Sequence, residues 1–496
     1  MLASRSQKKQ AGEPATVRFQ ALPLGKREAK FAALAKLALG GKAWTECPTD
    51  WRAPFLPAST GAWATFPKLE ELFDWNGAGV QAKRTWVMAP DAQSLIERWN
   101  RLISAPTEEK ETLFHATLRD GKPADRHIRS IVRESLPGYL PNLTPIIEEK
   151  APCAQPVPYG FRSFNRHWII PDNRLITQPN AELWRSRSER QIYLTAFTEE
   201  SPTAGPSLTF TGLVPDLHHY KGSFGGRVFP LWRDPAASVP NLRPKLLAFL
   251  GTRYGIAVSA EDLLAYIAAI AAHPAFTARF QNDLSTPGLR IPITADAGLF
   301  ADAAALGREV IWLHTFGERF ADAAAGRPLE PPRLPAGQRP QISAAGAIPG
   351  DPESMPDTLD YDATQQRLLV GRGWIDLVSP AVWNYEVSGK QVLVQWFSYR
   401  KKSRERPIIG DRRPPSPLGN IQPDHWLPEY TTELLNVLNV LGRLTALEPA
   451  QAALLEKVCA APLLAEETLR AAGAFESSAI SRRAQSDDNQ VELSLS

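Results

Sequence analysis

Proline sets the first constraint on what this chain can fold into. There are 44 in 496 residues, nearly twice the usual share. Each fixes φ near −65° and removes a backbone donor, so the sequence predicts many rigid turns and few long regular elements. Two stretches are densest. Residues 137–158 carry Pro137, Pro141, Pro145, Pro152, Pro156 and Pro158, and Pro328 to Pro356 loses all hydrophobic periodicity. Both read as connectors.

Regular structure is expected between the prolines. Phe31, Leu34, Ala35 and Ala38 lie at helical spacing in GKREAKFAALAKLAL (25–39), an amphipathic basic helix best read as a surface element. Six tryptophans (Trp44, Trp51, Trp63, Trp75, Trp86 and Trp99) fall in residues 44–101 among Gly and Pro, which predicts short strands and turns. A helix is expected over Asp91–Ile103. YGFRSFNRHWIIPDNRLI (159–176) and ERQIYLTAF (189–197) are aromatic and β-branched, hence strands. Ser259 and Asp262 form a capping-box pattern, and Pro274 forces a new helix start or a kink. Thr294–Phe320 reads as two helices. Residues 431–447 and 449–460 read as a helical pair with Leu434, Leu435, Leu438 and Leu441 on surfaces free to dock a catalytic partner. VWNYEV and QVLVQWFSY around SGK (388–390) predict a β-hairpin tipped by Lys390.

Several function classes are excluded. Lys+Arg 56 against Asp+Glu 53 leaves a net charge of +3, so a nucleic acid must be met by a local patch. Cys47, Cys153 and Cys459 are too dispersed for a metal knuckle or a disulfide framework. No signal peptide or membrane span is predicted, and a cytoplasmic location is expected. No phosphate-binding loop, dinucleotide fingerprint or nucleophile elbow occurs; Gly40-Gly41-Lys42 and Gly371-Arg372-Gly373 lack the flanking elements. No short polar–proline–aromatic loop suited to gripping a flipped adenine is found either. His218 and His219, adjacent on an expected strand, point to opposite faces and do not share a metal. Asp357, Asp360 and Asp362 lack calcium-loop spacing and read as a solvated acidic loop. No catalytic residue, metal ligand or cofactor is therefore assigned to this chain.

Positive charge beside aromatic residues remains, in two places. The first is Arg162, Asn165, Arg166, His167, Trp168 and Arg174. The second runs from Lys390 through Trp396 and Tyr399 to Arg400, Lys401, Lys402, Arg404, Arg406, Arg412 and Arg413. Lys and Arg neutralise phosphates, whereas Arg, Asn and Gln read base edges. From these groups Arg162, Asn165, Arg166, Arg174, Lys390, Arg400, Lys401, Lys402, Arg404, Arg406, Arg412 and Arg413 are the candidate DNA contacts.

Long runs then carry a family resemblance: FNRHWIIPDNRLI (164–176), GGRVFPLWRDP (225–235), RYGIAVSAEDLLAYIAAIAAHPAFTARF (253–280), LGREVIWLHTFGERF (306–320), MPDTLDYDA (355–363), VWNYEVSGKQVLVQWFSYR (382–400) and RPIIGDRRPPSPLGNIQPDHWLPEYTTELLNVLNVLGRLTALEP (406–449). Over about residues 159–460 the chain resembles the C-terminal specificity region of type ISP restriction–modification enzymes. The N-terminal part resembles more loosely the segment joining their methyltransferase to that region. The resemblance implies a partner, double-stranded DNA, whose asymmetric target sequence is read so that adenine-N6 methylation and cleavage are directed there. It further implies that the nuclease, translocase and methyltransferase, with their S-adenosylmethionine and ATP/Mg, lie outside this chain, so that a methyltransferase/translocase chain encoded nearby is a second expected partner. Two alternatives stand beside it: a chain belonging to an active DNA adenine methyltransferase, and a protein-interaction scaffold without DNA contact.

The expected fold is α/β in the broad sense (α+β), a mixed β-rich recognition lobe with hairpins plus a helical support region at about 242–321. The expected division is 1–150, a Trp-rich junction segment; 151–475, the specificity domain; and 476–496, a disordered tail.

Overall fold

The computed structural model describes residues 15–22, 27–38, 40–47, 61–116, 126–402 and 416–476. Near the N-terminus, Arg18–Phe19 (β1) pairs antiparallel with Thr45–Glu46 (β2), and helix α1 (Arg27–Ala35) lies between them in sequence. The basic helix expected there is present, but it buries no residue, and Phe31 and Leu34 stay exposed. From Gly61 on, the tryptophan-rich stretch folds into 3-10 turns around two dipeptide strands, β3 (Gly77–Ala78) and β4 (Met88–Ala89), while Trp51 lies outside the described residues. Helix α2 (Ala92–Ser104) begins where Asp91 accepts a hydrogen bond from the Ser94 amide, satisfying one orphan donor of its first turn. Its buried Leu95, Trp99 and Leu102 share one face, as their spacing predicts. Helix α3 (Thr107–Phe114) follows.

The central strands are β5 (Val157–Arg162), β6 (Asn165–Ile169), β7 (Tyr193–Ala196), β8 (Leu208–Thr211) and β9 (Arg227–Pro230), with the short helix α4 (Ala181–Arg185) after β6. They form two antiparallel sheets, ordered β4-β6-β5 and β3-β9-β7-β8. Residues 214–217 lace the sheets together: the Gly160 amide donates to the Val214 carbonyl, and the Leu217 amide to the Val80 carbonyl. In the four-stranded sheet the period of two divides two cores. Leu194 and Phe229 face a large helical core, while Tyr193 and Val228 face a smaller one built with α2 and the three-stranded sheet. Strands from either side of residue 150 thus share both sheets.

The large core is helical: α5 (Pro244–Tyr254), α6 (Ala260–Ala271), α7 (Pro274–Arg279) and α8 (Ala297–His314). Ser259 and Asp262 close the expected capping box at the start of α6, and Pro274 opens α7 as its N1 residue. Apart from Glu261 and Asp262, α6 is buried on every side. Where two helices were expected over Thr294–Phe320, α8 is one 18-residue helix. Ala303, Ala304, Gly307, Val310 and Ile311 form its buried stripe, and tertiary packing along that stripe outweighs local breaks.

The chain then runs through the proline-rich connector, regular only in single 3-10 turns, to the meander β10 (Leu359–Asp362), β11 (Arg367–Val370) and β12 (Gly373–Ile375). Asp360 and Asp362, expected in a loop, therefore sit on a strand. The connector is pinned rather than loose: Asn439 accepts from the Leu334 amide, and the Trp312 indole donates to the Pro328 carbonyl. Residues 137–158 are likewise packed, with Ile146 and Ile147 buried.

After α9 (Pro380–Trp383), the expected hairpin shrinks to β13 (Glu386–Val387) and β14 (Lys390–Gln391) around Ser388-Gly389. Lys390 is thus the first residue of the returning strand. QVLVQWFSY was expected as a strand, but Val392–Ser398 is helix α10. Its buried Val392, Leu393, Trp396 and Phe397 follow helical spacing, with Val394 outward. The anticipated helical pair is one 33-residue helix, α11 (Pro428–Ala460), which carries Pro449 inside it; α12 (Glu466–Ala471) follows. Leu434, Leu438 and Leu441 are buried in the chain's own core, and Leu435 packs against it, so these leucines form no free docking face. The architecture is α+β, as expected, with small antiparallel sheets and a helical support. No helix among the described residues is long and apolar enough to cross a membrane.

Candidate nucleic-acid interface

The hairpin β5–β6 builds the centre of the candidate site. Its turn is Ser163-Phe164, with Phe164 in the left-handed region (φ 60°), and a bulge interrupts the register between Gly160 and Arg162. The bulge turns Arg162 inward. Its guanidinium donates to the Asp216 carboxylate at 2.6 Å and lies 3.8 Å from the centroid of the Phe161 ring. Asp216 also accepts from the Tyr159 hydroxyl at 2.9 Å and from the His218 amide at 2.8 Å. Every partner of this carboxylate is internal, and Arg162 and Asp216 are both buried.

Arg400 sits deeper still, with no exposed surface. It donates to the Asn165 side-chain oxygen (2.8 Å), the Arg166 carbonyl (2.9 Å) and the Glu433 carboxylate (2.8 Å), and it stacks on Trp396 at 4.0 Å. One guanidinium thereby ties β6 to the ends of α10 and α11. His167 packs against Phe161, with Tyr399 completing the cluster. Burial, followed by the charges of Arg400 and Arg162, holds its imidazole well below the usual histidine range, so it is neutral.

Arg174 is buried in the smaller core, bonded to Asp172, to Glu149 at 2.7 Å and to the Thr144 carbonyl at 2.7 Å. Burial raises the Glu149 carboxyl. Hydrogen bonds from the Ala151 amide, Arg174, Asn142 and the Lys150 amide outweigh that and bring it to about 2. Arg174 lines a cleft of about 490 Å³ with Trp99 and Tyr139, but its charge is already balanced by two carboxylates. Arg166 is half-buried, paired with Glu318 and 5.3 Å from the Phe316 ring. Of the sequence-designated residues, then, Arg162, Asn165, Arg174 and Arg400 are turned inward in this conformation. Lys390 and Lys402 are exposed and Lys401 is half-exposed. Arg404, Arg406, Arg412 and Arg413, like the tail 477–496, lie outside the described residues.

The exposed lysines bracket helix α10, which at 1.5 Å per residue is about 10 Å long: Lys390 precedes it and Lys401 and Lys402 follow it. The Lys402 amide is fixed by the Pro356 carbonyl at 2.8 Å. Next to Lys390 the turn after β8 supplies Lys221, whose carbonyl accepts from the Gln395 side chain at 2.9 Å. Burial and then the charge of Lys390 hold the Lys221 ammonium below its usual range. Two lysines from segments 169 positions apart in sequence thus share one face. Sequence reading passed over Asp216, Lys221, Gln395 and Glu433, because each acquires its role only across long loop closures.

Beneath this face runs a buried polar ladder. Ser163 and Thr209 hydroxyls meet at 2.8 Å, Thr209 and Thr195 at 3.0 Å, and Thr195 and His219 Nδ1 at 2.9 Å. His218 and His219 lie in a turn, not on the expected strand, and no cluster of three or more His, Cys, Asp or Glu among the described residues is placed to hold a metal. Burial pushes His219 down to about 3, helped by Arg162 and His314, and burial pushes His314 down to about 3 as well. The His314 Nδ1 accepts from the Phe210 amide. Since these folded values lie below the unfolded value of about 6.5, the stability they carry is complete above pH 6.5 and is lost as pH falls toward 3. Denaturant unfolding at pH 7 and pH 5 is expected to show a lower midpoint at pH 5, with a smaller drop in His219→Gln. A midpoint equal at both pH values contradicts this.

The fold can be set beside known proteins. No curated relative matches the sequence. Three similar solved structures are a cryo-EM structure of a DrdV–DNA complex, a nuclease-deletion mutant of the type ISP restriction–modification enzyme LlaGI in complex with a DNA substrate mimic, and the ATP-dependent type ISP enzyme LlaBIII bound to DNA. Their identities to this chain are 16%, 13% and 12%, with TM-scores of 0.54, 0.53 and 0.57. They align with 86%, 88% and 89% of this chain but only 42%, 32% and 27% of their own, so this chain spans less than half the length of each. At such identities the likeness shows a shared fold. The model of the type ISP C-terminal specificity domain matches residues 71–436, embracing both central sheets, the helical core, the β10–β12 meander and α10. With about three quarters of its length under that one match, the chain belongs to the type ISP C-terminal specificity domain family.

Proposed function

We propose that this chain recognises a sequence in double-stranded DNA and acts as the specificity part of a type ISP restriction–modification system. Adenine-N6 methylation and cleavage would be directed to that sequence by catalytic domains outside this chain, which would also carry the S-adenosylmethionine and ATP/Mg sites. The family match over residues 71–436 carries the reading. The three neighbouring structures, each determined with DNA, agree with it. Lys390, Lys401 and Lys402 are then the described residues that meet phosphates. Arg162, Asn165, Arg174 and Arg400 position the platform from within, and Arg166 reaches DNA only by leaving Glu318.

Selection of the purified chain against a random duplex library at moderate salt tests this. Enrichment of an asymmetric motif is expected; failure to retain any duplex, with or without a catalytic partner, overturns it. A second expectation concerns charge. Each phosphate contact contributes about 0.9 to the slope of log affinity against log salt. Lys401→Gln with Lys402→Gln is therefore expected to weaken binding alike on all sequences and to lower that slope by about 1–2. An unchanged slope removes these lysines from the interface.

A further inference from the structure

The loop from Lys221 to Gly226 reads KGSFGG and puts Phe224 at its outer end. The ring is 70% exposed and belongs to neither hydrophobic core. Its backbone is left-handed (φ 66°), flanked by Gly222 (φ 93°) and Gly225 (φ 72°). A bulky L-residue rarely adopts that conformation, and such strain clusters where a ligand is gripped. Among the described residues nothing packs to reward this one: the cation near the ring is the Lys221 ammonium, 5.5 Å from its centroid.

The loop is also held rigidly. The Gly222 amide donates to the His218 carbonyl at 2.7 Å, and the Gly225 amide to His218 Nδ1 at 3.0 Å. A side chain at Gly222 would meet the Gln395 amide nitrogen at 2.3 Å, so the backbone lies flat against α10. The base of the loop is therefore fixed while its aromatic tip projects. Lys221 stands beside it; burial and then the charge of Lys390 hold its ammonium below the usual range, and Glu200 acts on it in the opposite sense. A flat apolar ring with the Lys221 ammonium beside it, and with Lys390 close enough to act on that ammonium, matches a nucleobase flanked by its phosphates. Apolar side chains in that setting wedge into base steps, and sequence-tolerant stacking on aromatic rings accompanies cationic grooves.

We infer that Phe224 inserts against a nucleobase of the bound duplex and unstacks one base step, while Lys221 and Lys390 hold the adjoining phosphates. The inference rests on the DNA-recognition reading and adds deformation of the DNA to it.

The test uses the full chain and a duplex retained in the library selection, prepared as a set with 2-aminopurine at one successive position in each member. The wild-type chain is expected to raise the fluorescence at one step. Phe224→Ala is expected to abolish that rise and to bind about tenfold more weakly, with the salt slope unchanged, because no charge is lost. Phe224→Trp is expected to keep the rise. Since the ring packs against no core, both variants are expected to unfold like wild type. A duplex bound by wild type without any positional rise, or an equal rise with Phe224→Ala, overturns the wedge and leaves DNA recognition standing. Retention of no duplex overturns the recognition reading and the wedge together.

Discussion

Replacing Arg400 with methionine is expected to lower the stability of the fold by about 3–5 kcal/mol, measured as the shift in free energy from denaturant unfolding. The side chain has no exposed surface and satisfies Asn165, the Arg166 carbonyl and Glu433 at once. Its removal leaves the Glu433 carboxylate without its cation and the Asn165 oxygen without a donor, and orphaned buried groups cost more than the pair contributes. The double variant Arg400→Met with Glu433→Met is accordingly expected to recover part of the loss. Lysine is expected to fail as a substitute, since one ammonium cannot reproduce a planar fork that bonds three segments. Lys401→Gln, one residue away, is expected to change stability by no more than about 0.5 kcal/mol. A methionine variant as stable as wild type would show that Arg400 does not hold the platform.

The other large effect is expected at Gly307. A glycine inside a helix ordinarily costs about 1 kcal/mol relative to alanine, so Gly307→Ala would stabilise an isolated α8. Here a Cβ would lie 1.7 Å from the Ala265 carbonyl oxygen of α6. The obstacle is backbone in a helix buried on nearly every side, so α6 and α8 must move apart and open the core between them. A loss of about 3 kcal/mol is expected. Gly442→Ala makes the contrast: its Cβ would meet the Leu334 side chain at 2.5 Å, and a side chain rotates where a backbone does not. Denaturant unfolding of both variants checks the ordering; equal losses would mean that the α6–α8 contact is no tighter than the clasp of the connector on α11.

The residues that proved legible in the sequence share one property: their signal is local. Asp91 and Ser259 begin helices because a side chain reaches an amide three residues on. Tyr193–Ala196 is a strand because β-branched and aromatic residues fit a pleated surface. The type ISP resemblance was legible for the same reason, being carried by contiguous runs. Elements whose form depends on distant packing were read less well. VLVQWF fits a strand and a helix equally in sequence, and burial of Trp396 and Phe397 alongside Val392 and Leu393 selected the helix. Pro449 marks a break, which costs about 3 kcal/mol in a helix interior. Yet Leu441 and Leu444 before it and Leu454, Leu455 and Val458 after it bury into the same core and keep α11 continuous.

The same division holds for the site. Sequence by itself determined the α+β class, the family and the presence of positive charge beside aromatic rings. Only the tertiary structure decided which charges are free to meet a partner. Arg162 pairs with Asp216, 54 positions away, and Arg400 with Asn165, 235 positions away. An arginine in a basic run looks the same in sequence whether its counter-ion is a phosphate or a buried carboxylate, because the two bind it with the same fork geometry. What separates them is loop closure over long stretches of chain, and that is fixed by how the sheets and helices pack.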